Sequence, residues 1–65
     1  MTYTLESFAV GQRVQLHPAL DLWMRGARYG QVTRIFPTSP IPLSVYVDTL
    51  ARVVRLHPRN ICEIL

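Results

Sequence analysis

Hydrophobic and polar residues alternate along this chain in short runs, and most runs are closed by proline or a tight turn. Val14 and Leu16 alternate with Arg13, Gln15 and His17, the period of a half-buried strand, which Pro18 ends. Tyr29-Gly30-Gln31-Val32-Thr33-Arg34-Ile35-Phe36 is rich in β-branched and aromatic residues and is stopped by Pro37. It predicts a second, central strand from Arg28 to Phe36, entered through Gly26 and Gly30. Leu43, Val45 and Val47 then alternate with Ser44, Tyr46 and Asp48, a third strand with the first set inward and the second outward. In Arg52–His57 the pattern turns Val54 and Leu56 inward, with Val53, Arg55 and His57 outward. A short last strand runs over Ile61–Leu65, anchored by Ile61 and Ile64.

The connections follow from the same reading. Residues 1–9 are a lead-in whose Phe8 is placed to pack down as an anchor. Residues 19–26 fit a short strand and a single helical turn equally; they read as an ordered loop carrying Trp23 and closed by Gly26. Pro37-Thr38-Ser39-Pro40-Ile41-Pro42 lacks three ladder donors and predicts a stiff, extended surface loop. Asp48-Thr49-Leu50-Ala51 predicts a tight reversal without glycine, and Pro58-Arg59-Asn60 a single 3₁₀ turn. The pattern V-x-L-H-P occurs at Val14–Pro18 and again at Val54–Pro58. Two copies do not make a repeat architecture; they predict two strands that end in the same polar turn.

Length then bounds the answer: 65 residues form one domain, with little interior to offer. The hydrophobic fraction of 49% is high for that size, so a partner or a symmetric homo-oligomer is expected to cover part of it. Cys62 is the sole cysteine, which excludes an intrachain disulfide and zinc-finger spacing and points to a reducing cytoplasm. The first residues lack the basic start and apolar run of a signal peptide, and no apolar segment reaches the roughly 18 residues of a membrane span. A soluble, cytoplasmic protein without a membrane partner is the expectation. The formal charge is +3, and every basic side chain is arginine, which pairs bidentately with phosphate or carboxylate.

Five short strands, one long early loop and a 3₁₀ turn before the last strand resemble the SH3-like barrel. Val10-Gly11-Gln12-Arg13-Val14, Tyr29-Gly30-Gln31-Val32, Val45-Tyr46-Val47-Asp48 and Asn60-Ile61-Cys62-Glu63-Ile64 are similar to that superfamily's pattern over residues 8–65. The resemblance implies an all-β fold, a small five-stranded SH3-like barrel. Its members include Tudor-like and KOW-type modules, small photosynthetic accessory subunits and the plasmid-borne type II dihydrofolate reductases. Signalling SH3 domains match poorly, since their acidic, tyrosine-rich peptide-binding loop has no counterpart here. In the reductases a Val-Gln-Ile-Tyr strand lines the pore, where this chain has Val54-Arg55-Leu56-His57. Arg55 and His57 in place of the family's glutamine and tyrosine argue against folate and nicotinamide chemistry.

Chemistry is sparse. Cys62, His17 and His57 with Asp21, Asp48 or Glu63 supply the residue types of a nucleophile and base, but Cys62 reads as an inert buried hydrophobe. No paired-ligand spacing points to a metal. No catalytic residue, metal ligand or cofactor is therefore assigned, and the chain reads as a non-enzymatic binding module. Its candidate surface comprises Arg25, Arg28, Arg34, Arg55 and Arg59 with Trp23, Tyr29 and Tyr46. Outward arginines interleaved with aromatics suit phosphate contact and base stacking, so nucleic acid is the favoured partner. Another protein is the alternative, with Trp23, Met24 and Tyr46 as anchor and Arg25 and Arg28 at its rim.

Overall fold

The computed structural model of the chain describes residues 3–65; Met1 and Thr2, the start of the lead-in, lie outside the described residues. Five antiparallel strands form one sheet: β1 (Arg13–Leu16), β2 (Tyr29–Ile35), β3 (Leu43–Val47), β4 (Arg52–Leu56) and β5 (Ile61–Ile64). Their order is β4-β3-β2-β1-β5, so each of β1 to β4 lies beside its sequence neighbour and β5 returns to pair with β1. The long central strand is β2, one residue shorter at each end than the pattern predicts. Among the described residues no ladder joins β4 to β5. No described helix is long and apolar enough to cross a membrane.

Of the residues expected inward, Val14, Leu16, Leu43, Val45, Val47, Leu56 and Ile61 are buried; Phe8 packs down as the lead-in anchor, and Val32 and Ala27 join the core. Val54 and Ile64 are half-buried and pack against this cluster. The total accessible surface, 4205 Å², matches the roughly 4,200 Å² expected of a compact monomer of this mass. Val10, Met24, Tyr29, Ile41, Tyr46, Val53 and Leu65 are the large apolar side chains left exposed among the described residues.

Two register slips interrupt the ladders. Val32 opposes Val45 while Arg34 opposes Ser44, which leaves Thr33 as an extra residue on β2. Likewise Gln15 opposes Glu63 while Leu16 opposes Ile61, leaving Cys62 as an extra residue on β5. Each slip overturns an expectation. Ser44, expected outward, is buried, with the Thr33 hydroxyl donating to its carbonyl oxygen (3.1 Å) and lying 3.1 Å from its Oγ. Cys62, expected buried, is exposed, because a bulged residue on an edge strand has no core-facing slot to fill.

The early connection resolves into one helical turn, α1 (Asp21–Met24). Gly26, at φ +89°, ends it: its N–H donates to the Trp23 carbonyl, and the Ala27 N–H donates to that of Leu22 (both 3.0 Å). These are the two bonds of a Schellman close, which needs a left-handed residue at that point. Gly30 answers a different need. A Cβ there would sit 2.5 Å from Val45 Cγ1 and 2.7 Å from the Tyr46 carbonyl oxygen, so β2 and β3 approach closely only because Gly30 has no side chain. The lead-in folds back on the sheet, Phe8 meeting the Tyr3 ring edge-on at 5.8 Å.

Candidate nucleic-acid interface

Register and alternation divide the candidate residues into three places. Gly30 and Val32 face the core, so Tyr29 and Gln31 face outward, and beyond the Thr33 bulge so does Arg34. On β3 Tyr46 is exposed, on the same side of the strand as the buried Ser44; on β4 Val53 and Arg55 are exposed. Cross-strand pairing then builds two rows on one face, Arg34–Ser44–Arg55 and Arg13–Gln31–Tyr46–Val53, with Gln15–Tyr29 beyond them. Tyr29, Arg34, Tyr46 and Arg55 thus share a single solvent-facing surface. Tyr29 is 47% exposed and Tyr46 36%, enough to offer ring surface to a stacking partner.

Trp23, Arg25 and Arg28 lie elsewhere, on α1 and at the entrance to β2. Trp23 is half-buried against the core, and the Arg28 guanidinium lies over its ring, 5.0 Å from the centroid. At this distance the ring face attracts the cation. Arg25 is exposed beside them, while Arg59 stands apart, on the 3₁₀ turn Pro58–Asn60.

Electrostatically the surface is open. Among the described residues Arg13 alone forms an ion pair, to Asp48 at 3.1 Å, which leaves the other six arginines without a carboxylate within 4 Å. Arg34 and Arg55 both lie over Phe36, 5.4 and 4.2 Å from its centroid. Arg55 also serves the fold: its Nε and Nη2 donate to the Ile41 carbonyl oxygen (3.1 and 2.7 Å), and Nη2 to Ser39 Oγ (3.0 Å). Sequence reasoning missed Phe36 as the plate under both guanidiniums, although its place between Arg34 and Pro37 was a usable signal.

The two histidines are engaged in local structure. His17 Nδ1 accepts from the Ala19 N–H and His57 Nδ1 from the Arg59 N–H, so the two V-x-L-H-P copies do end in the same turn. In the stretch compared with the reductase pore, Arg55 is therefore engaged with the proline-rich loop between β2 and β3, and His57 with its own turn. Among the described residues no three His, Cys, Asp or Glu side chains converge as a metal site. No family model matches the sequence, and no curated protein and no solved structure matches it either.

Proposed function

We propose that the chain is a non-enzymatic, SH3-like binding module that takes single-stranded nucleic acid across the outer face of β2, β3 and β4. The observation that carries this reading is the common surface of Tyr29, Arg34, Tyr46 and Arg55, two exposed rings and two guanidiniums without acidic partners. Bases stack on tyrosine with little regard to sequence, and arginines track the backbone. Trp23 with Arg28 forms a second aromatic–arginine pair off this face.

Fluorescence anisotropy with labelled oligonucleotides over a salt series tests it. Micromolar binding with a log K against log salt slope of about −2 to −4 corresponds to a few arginine–phosphate contacts. Arg34→Ala and Tyr46→Ala weaken it across all sequences, and Arg59→Ala leaves binding of a 5′-hydroxyl strand unchanged. No binding at low salt removes the reading.

A protein partner, or a second copy of this chain, is the competing reading. Met24, 87% exposed beside Trp23, and the outward Tyr46–Val53 pair favour it as apolar anchors. Sizing on a calibrated column separates self-association from the rest.

A further inference from the structure

The two histidine turns meet at one place on the surface, where the His17 N–H donates to the Asn60 carbonyl oxygen (2.8 Å). Between them lies a shallow cleft of about 240 Å³, lined by His17, Ala19, Leu20, Arg59 and Asn60. Its chemistry follows from which atoms are already used. His17 Nδ1 accepts from the Ala19 N–H (3.0 Å), so the neutral ring carries its proton on Nε2 and offers a donor there. Asn60 Oδ1 accepts from the His57 N–H (2.9 Å), which leaves its amide NH₂. The Arg59 guanidinium has no hydrogen-bond or carboxylate partner among the described residues. Every side-chain polar group left in the lining is thus a donor, none is a carboxylate, and Ala19 and Leu20 supply an apolar wall.

We propose that this cleft binds a phosphate monoester. Three donors from three residues match a group with three terminal oxygens and a charge of roughly −1.5 to −2 near neutral pH. The volume accommodates the phosphate and a small carbon body, and it is below the roughly 300 Å³ at which drug-sized pockets begin. Arg59 supplies the charge, His17 and Asn60 the direction. A free phosphorylated metabolite and the terminal phosphate of a nucleic acid present the same chemistry.

Amide chemical shifts followed by NMR during titration with glycerol phosphate test the site. Saturable shifts at Ala19, Arg59 and Asn60 in the millimolar range are expected. Arg59→Ala should weaken binding by about tenfold, the loss of one charge-assisted contact. Arg52→Ala, an exposed arginine on β4, should leave it unchanged, which separates a built site from general attraction by net charge. Shifts that do not saturate, that scatter over all arginines, or that fall equally in both variants overturn the proposal. A 5′-phosphorylated oligonucleotide that binds more tightly than its 5′-hydroxyl twin, with the difference lost in Arg59→Ala, identifies the nucleic-acid end as the source. Equal binding of the two strands, with glycerol phosphate still saturating, identifies a free metabolite. Glycerol phosphate has no base to stack, so this outcome is independent of the sheet face.

Discussion

Arg55 stacks on Phe36 and at the same time ties down the loop that leaves it. The guanidinium carbon sits 4.2 Å from the ring centroid while Nε and Nη2 converge on the Ile41 carbonyl oxygen. One side chain on β4 thereby fixes the proline-rich segment between β2 and β3, whose Pro42 is buried and whose Phe36 N–H donates to the Pro42 carbonyl. A lysine has no planar fork with which to do both. Arg55→Lys should cost about 1–2 kcal/mol and speed amide exchange at Ser39 and Ile41. An unchanged urea midpoint together with unchanged exchange would show that the clamp contributes nothing. Because Arg55 has this structural task, Arg34→Ala is the cleaner probe of nucleic-acid binding.

Ala51 holds a left-handed backbone, φ 52° and ψ 40°, at the close of the 3₁₀ turn Asp48–Leu50. A Cβ in that region is strained, and glycine relieves it at some cost in unfolded-chain entropy. Ala51→Gly should therefore stabilise the fold by about 0.5–1 kcal/mol, read as a higher urea midpoint at constant m-value. A lower midpoint refutes the account.

The opposite holds at Gly30. Its added Cβ meets Val45 and the Tyr46 backbone from a position that neither strand can vacate without opening the ladder. Gly30→Ala is expected to lose about 2–3 kcal/mol, a large share of the stability of so small a domain. Thermal melting followed by circular dichroism reads it. A variant that melts with the parent sinks the close-approach argument.

His57 and Asn60 form a reciprocal cap on the turn before β5. His57 Nδ1 takes the Arg59 N–H (3.2 Å), and Asn60 Oδ1 takes the His57 N–H (2.9 Å). Alanine at either position should cost about 1 kcal/mol, and the double variant less than the sum, since each bond holds the turn that makes the other. Strict additivity in a double-mutant cycle would mean that the two bonds act separately.

The Arg13–Asp48 pair, by contrast, is nearly free to lose. Its side chains are 47% and 61% exposed, and solvent screens the attraction. Asp48→Asn should leave stability within about 0.5 kcal/mol, with little dependence on salt. A larger loss in denaturant titration would assign the pair a part in holding β1 to the end of β3.

Alternation by itself determined the strands and the core. Val14, Leu16, Leu43, Val45, Val47, Leu56 and Ile61 are buried because a pleated chain presents every second side chain to one face, whichever strand lies beside it. Proline and the histidine turns set the strand ends by equally local rules: Pro18 and Pro37 end runs, and His-Pro closes β1 and β4 alike. What required the tertiary structure was register. The extra residues Thr33 and Cys62 change which side chains face out beyond them, and only pairing with β3 and β1 reveals them as extra. Register also decided that Tyr29, Arg34, Tyr46 and Arg55 share a face while Trp23, Arg25, Arg28 and Arg59 do not. The cleft between the histidine turns has the same origin. Residues 17 and 60 are far apart in the chain and meet only because β5 returns to β1, a contact that no local period encodes.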